Sequence, residues 1–182
     1  MALSSRLQHS AAALLQQARD AGLPVARAES LYADSLRPAL LKTLSTRVIP
    51  FVKRSGVKVE QLEPGRVVCR MPLRGNVNHI GCMYAGALFT LAEFPGGPLM
   101  LATYGISRFV PIVIALDMEF VRVAKTDVSI ELSLPQDDID RIEQETLSQG
   151  KAEFVLRGEL RDTQGEVVAR SRAVYQMRPK RR

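Results

Sequence analysis

The chain has 182 residues, 46% of them apolar and 5% aromatic, with 25 lysines and arginines against 19 aspartates and glutamates. That length suits one domain with an extension, and no apolar run approaches the ~18 residues of a transmembrane helix. Two cysteines, Cys69 and Cys82, offer neither a metal-ligand spacing nor a disulfide framework. They read as reduced packing residues, and no metal or cofactor is expected.

The charge is unevenly placed. Residues 1–56 hold 8 basic against 3 acidic side chains, whereas residues 57–182 hold 17 against 16, with four of those cations in the terminal "RPKRR". That tail contains no aromatic residue to stack a base, so residues 179–182 read as a solvated basic tail and nucleic acid is not an expected partner. Arg6 followed by a short "AAALL" makes a poor secretory leader. A cytoplasmic protein is expected.

Residues 1–55 read as a helical extension. "SSRLQHSAAALLQQARDAG" is rich in helix formers and is stopped by Gly22 and Pro24. Further on, Leu40, Leu44 and Val48 repeat at helical spacing, and Pro50 is expected to end or kink that helix. This arm is expected to pack on the domain or to act as a lid.

From Gly56 the pattern changes, and residues 56–178 read as the domain proper. "VKVEQLEPGRVVCRMPL" predicts two β segments around Glu63-Pro64-Gly65. "NHIGCMYAGALFTLAE" predicts a small-residue helix. "PIVIALDMEFVRVAK" predicts a long strand with Ile112, Ile114, Leu116, Met118 and Phe120 on one face and Asp117 and Glu119 on the other. "TDVSIELSLP" follows as a neighbouring strand. "QDDIDRIEQETLSQG" is a polar insert, a short helix with Asp at its start. A last hairpin turns around Asp162-Thr163-Gln164-Gly165. Two strands, one apolar helix and four strands predict an α+β arrangement, an antiparallel sheet wrapped around a single central helix.

The helix carries one oddity. Between Arg74 and Arg108, Glu93 is the sole charged residue. Tyr84, Ala87, Leu88 and Leu91 form an apolar packing stripe, while Gly86, Thr90 and Glu93 share another face. An acid in apolar surroundings has a raised pKa and becomes a better base near neutrality. Upstream, "RGNVNHIG" has turn-forming residues, so the amides at the helix start are expected to be free for an oxyanion. From Tyr84 to Glu93 is about 13 Å along a helix axis. Asn78 and Glu93 of one chain are therefore not expected to meet at one atom, and a dimer resolves the difficulty.

These residues resemble the signature of hot-dog-fold thioesterases, in particular the PaaI-like group and its DUF4442-like relatives. In that signature an Asn is followed after two residues by Gly, then after two more by His-Gly-Gly, then by an apolar run ending in an acid. Asn78, Gly81, Gly86 and Glu93 fall in register with it. The resemblance covers about residues 56–178 and implies a hot-dog fold, a homodimer or tetramer, and hydrolysis of an acyl thioester such as acyl-CoA between two subunits. It implies Glu93 as general base or nucleophile and the Ala85 and Gly86 amides as oxyanion donors. Asn78 would position substrate or water. Gly81, Tyr84 and His79 complete the candidate set. The chain departs from the pattern at Tyr84-Ala85, which stand where His-Gly is common, and His79 lies five residues too early to replace that His.

Met83, Leu88, Phe89 and Phe120 are expected to line an apolar acyl site. Arg122 is the expected ion partner of Glu93 if the acid is only structural, and Arg122 with Lys125 is placed to meet a CoA phosphate. Two other readings stand beside hydrolysis: a non-catalytic hot-dog module that binds an acyl or other apolar ligand, and an interaction protein whose helical arm captures a partner.

Overall fold

The computed structural model describes residues 46–47, 49–105 and 108–180. The helices expected within residues 1–45, and the Leu40–Leu44–Val48 stripe, lie outside the described residues. Among those described, no helix is long and apolar enough to cross a membrane.

Among the described residues, helix α1 (Pro50–Ser55) starts at the proline that the sequence marks as a boundary. Ile49 is extended, with φ −95° and ψ 112°, as the residue before a proline prefers, and Pro50 occupies the first turn where its missing N–H is not needed. The chain then forms the hairpin of β1 (Lys58–Glu63) and β2 (Arg66–Met71). Val67, Cys69 and Met71 alternate inward along β2, and Val59 and Leu62 do so along β1 across a bulge.

Two consecutive helices, α2 (Ala85–Glu93) and α3 (Gly96–Tyr104), occupy residues 85–104. Then come β3 (Phe109–Phe120), β4 (Val128–Ser133), α4 (Gln136–Gln149), β5 (Ala152–Asp162) and β6 (Val167–Pro179). The six strands form one antiparallel sheet in the order β1-β2-β4-β5-β6-β3, which leaves β1 and β3 at its edges. Its inner face packs on α2 and α3. This is the α+β hot-dog arrangement that the sequence leads one to expect. One adjacency differs: β4 does not neighbour β3 but crosses to pair with β2 and β5, while β3 pairs with β6.

Leu91, Leu99 and Met100 on these helices meet Val67, Ile130, Leu160 and Met177 from the sheet, all essentially excluded from water. Burying a side chain of this kind contributes about 1.5–3 kcal/mol relative to leaving it exposed. The helix is therefore held by its apolar side, and its Gly86–Thr90–Glu93 side is left only partly covered. The polar insert is the amphipathic helix α4, with Asp137 and Asp138 in its first turn and Ile142 buried. The Tyr104 hydroxyl donates to the Ile139 carbonyl at 2.9 Å, tying α3 to α4. The last hairpin is closed by Asp162, whose carboxylate accepts from the Gln164 and Glu166 amides at 2.9 and 3.0 Å.

The expected facing of β3 is wrong in one half. A bulge between Val113 and Ala115 inserts Ile114 as an extra residue opposite β6. Beyond it Leu116 and Met118 turn partly inward, while before it Pro111 and Val113 do so and Ile112 and Ile114 are exposed. A strict alternation cannot anticipate this, because one inserted residue exchanges the two faces.

Candidate functional site

At its N-terminal end, α2 emerges from a loop clamped by asparagines. The Asn76 side chain donates to the Ser55 and Pro72 carbonyls at 2.7 and 2.8 Å, and the Asn76 backbone carbonyl accepts from the Tyr84 amide at 2.8 Å. Asn78 folds the next turn: its Oδ1 accepts from the Ile80 and Cys82 amides at 3.0 and 3.2 Å, and its Nδ2 faces Cys82 Sγ at 3.1 Å. Met83 donates to the Ala124 carbonyl at 2.8 Å, which pins the loop to the segment after β3.

Tyr84 is the N-cap, in extended conformation, with no side-chain bond to the helix. Its carbonyl accepts from the Ala87 and Leu88 amides, whereas the Ala85 and Gly86 amides have no acceptor among the described residues. They form the free donor pair that a helix start offers to an anion. Tyr84 does not join the apolar stripe as expected. It is 59% exposed, and its ring lies back over Gly86, where an added Cβ would come 2.4 Å from the ring edge. The N-cap position, outside the first helical turn, takes it off the buried side. Ala87, Leu88 and Leu91 do form that side, with Ala92.

The expected acyl lining is likewise divided. Met83 and Leu88 are core residues, while Phe89 and Phe120 are 39% and 48% exposed with ring centroids 5.9 Å apart. His79 and Gly81 are exposed on the loop, and Cys82 is buried.

Glu93 lies at the other end of α2. It is partly buried, and its carboxylate enters no hydrogen bond or ion pair among the described residues; no buried side-chain oxygen there is left unpaired, so the carboxylate oxygens keep contact with solvent. Burial alone raises its pKa above the ordinary carboxylate value. Arg122, the expected structural partner, instead pairs with Glu166 at 2.5 Å. The backbone breaks immediately afterwards: Phe94 and Pro95 keep right-handed helical angles, but the second helix begins only at Gly96. Here the Tyr175 hydroxyl donates to the Glu93 carbonyl at 2.5 Å.

Asn78 and Glu93 are not brought into contact within one chain. Asn76 and Tyr175 are the residues that sequence reasoning missed. For Asn76 the only signal is its place in the loop; for Tyr175, 82 positions from its partner, the only trace is a glycine inside an apolar helix. No group of three or more His, Cys, Asp or Glu residues is arranged to hold a metal among the described residues.

No curated protein matches the chain. A Pseudomonas aeruginosa protein of unknown function, named a probable thioesterase, is 51% identical over 78% of this chain and 95% of its own, with a TM-score of 0.75. More distant solved structures share the fold. A thioesterase enzyme of Staphylococcus aureus subsp. aureus Mu50 is 16% identical over 72% of this chain and 100% of its own, at TM-score 0.59. A thioesterase of Haemophilus influenzae is 13% identical over 76% and 88%, at 0.60. The model of the domain of unknown function DUF4442 matches residues 37–177. The chain thus belongs to the DUF4442 family and has the fold of the hot-dog thioesterases.

Proposed function

We propose that the protein hydrolyses an acyl thioester, acyl-CoA being the expected form, at a site shared by two copies of the chain. The observation that carries this reading is Glu93, an unpaired carboxylate with a raised pKa on the open side of a helix whose first two amides are free. Glu93 takes a proton from water, and the resulting hydroxide adds to the thioester carbonyl. The negative charge that develops on the carbonyl oxygen is received by the Ala85 and Gly86 amides. The C–S bond then breaks, the thiolate takes up a proton, and a free acid leaves with the thiol. Phe89 and Phe120, with the exposed Ile80 and Tyr84, offer apolar surface for the acyl group. The substrate preference, the homodimer and a cytoplasmic setting all belong to this proposal.

The pairing of two copies is supported by β3. Its 12 residues form an edge with β6 on one side and, among the described residues, no strand on the other, and Val110, Ile112 and Ile114 are exposed along it. A long apolar edge of this kind is a template for a second strand. A two-fold antiparallel pairing of β3 with its copy satisfies the free edge and excludes water from those side chains.

A second reading rests on Tyr84. It stands beside Gly86 where the resembling thioesterases commonly have a histidine, a role its ring does not copy, which favours a non-catalytic module that binds an acyl group. Assay of an acyl-CoA panel with wild type and Glu93→Gln separates the two. Turnover by wild type, lost in the variant, supports hydrolysis; binding without turnover in both supports the module.

A further inference from the structure

We propose that Tyr175 is a positioning residue for Glu93: from β6 it holds the carbonyl at the end of α2 and so fixes where the acid's side chain begins. This rests on the reading of Glu93 as the reacting carboxylate.

In an unbroken helix the Glu93 carbonyl would accept from the Gly97 amide four residues on. The proline at position 98 has no N–H to give Phe94, and the Gly97 amide donates to the Phe94 carbonyl instead, at 3.2 Å. The Glu93 carbonyl is thereby left without its helical donor, and the Tyr175 hydroxyl supplies one at 2.5 Å. Two features show the place is built for that hydroxyl. A Cβ at Gly96 would lie 2.2 Å from Tyr175 Oη and 2.3 Å from Cζ, so only glycine admits the ring. The ring itself is 2% exposed and stacks on Phe154, with centroids 5.6 Å apart and planes at 13°. Tyr175 also sits opposite Val113, beside the bulge that exposes Ile112 and Ile114, so the tether joins the acid to the edge proposed for dimerisation.

The electrostatics agree. Burial raises the Tyr175 pKa, the Glu93 carboxylate raises it further, and the neutral hydroxyl remains the donor at all ordinary pH values.

The test uses the full chain and two routes to the same loss. Tyr175→Phe removes one oxygen and keeps the ring; Gly96→Ala keeps the hydroxyl but displaces it. Phe154→Leu is the control, loosening the ring's packing without touching the bond. One readout is the 13C titration of the Glu93 carboxyl, which needs no substrate. The other is kcat and KM on an acyl-CoA.

Without the tether the half-buried acid swings further into water, so its titration moves down toward the ordinary carboxylate value in both variants. Their kcat falls about ten- to a hundredfold with KM within twofold, up to the scale of a 1 Å misplacement of a reacting group. Phe154→Leu lowers Tm and leaves titration and kcat in place. A folded Tyr175→Phe with unchanged Glu93 titration and unchanged kcat overturns the proposal. Should Tyr175→Phe not fold, the same result in Gly96→Ala overturns it. If wild type hydrolyses no thioester while the titration still moves, the tether stands and the hydrolytic reading falls.

Discussion

The two ends of α2 are built in opposite ways. The start is open: Tyr84 and Ala85 are exposed, two amides are free, and the loop before them is held by bonds from Asn76, back to Ser55, and from Asn78 within its own turn. The far end is closed: Glu93 is partly buried without a charge partner, and its carbonyl is held by a tyrosine 82 positions along the chain. One end presents donors to a ligand; the other keeps a desolvated acid in a fixed place. An oxyanion site must be reachable, whereas a general base gains from exclusion of water. The contrast is that between binding and chemistry.

The largest way to break it is to neutralise the closed end. Glu93→Gln is expected to lower kcat on an acyl-CoA by at least about a hundredfold, the range of a lost general base. At the open end, Ala85→Pro deletes one amide and nothing else. Position 85 is the first helical residue, where proline is tolerated, and Tyr84 before it already has extended angles of φ −65° and ψ 136°. A loss of about a hundredfold in kcat is expected with Tm unchanged, as for removal of one oxyanion donor. If kcat is untouched, the Ala85 amide is not a donor to the reacting oxygen.

Charging the β3 edge separates the ends by another route. Ile112→Lys with Ile114→Lys is expected to weaken dimerisation by roughly tenfold or more, as for about 1.4 kcal/mol or more of lost contact. Sedimentation velocity reads it, and activity should follow the dimer fraction.

The smallest effect is on stability. Because burial raises the Glu93 pKa in the folded state, folding takes up a proton in the window between the unfolded value near 4.5 and the raised folded value. Below that window both states are protonated; above it the native state carries a desolvated charge at a cost. Glu93→Gln should therefore raise Tm at pH 7 by roughly 2–4 °C for each kcal/mol recovered, and the gain should vanish in acid below that window. A gain that persists in acid would trace the effect to packing instead.

The strands, both hairpins and the central helix were legible because each rests on local signals: alternation along β2, the turn residues at 63–65 and 162–165, and small apolar residues at helical spacing. The order of strands in the sheet was not, because β4 pairs with β2 and β5 rather than with β3, its neighbour in sequence. Glu93 stood out for the same kind of reason, as a lone charge in an uncharged tract. The rest depended on contacts between distant positions. The bulge at Ile114 leaves no mark in a run of apolar residues, so the facing of half of β3 was misread. Met83 and Leu88 look as suitable for a binding site as Phe89, and only packing decides that the first two are core. Tyr84 was assigned to the buried stripe by spacing, yet the helix begins one residue later. The Tyr175 bond needs the register of β6 against the helix break, which no local pattern encodes.

The central claim is that one chain's helix start works with the other chain's acid, and mixed dimers test it most directly. Glu93→Gln and Ala85→Pro chains, each inactive alone, are unfolded together, refolded and assayed on an acyl-CoA. In a mixed dimer one site combines the intact acid of the Ala85→Pro chain with the intact helix start of the Glu93→Gln chain. Random pairing makes half of the dimers mixed with one of two sites restored, so recovery to about a quarter of wild-type activity is predicted for a two-fold dimer. No recovery above the separate variants would contradict a shared site.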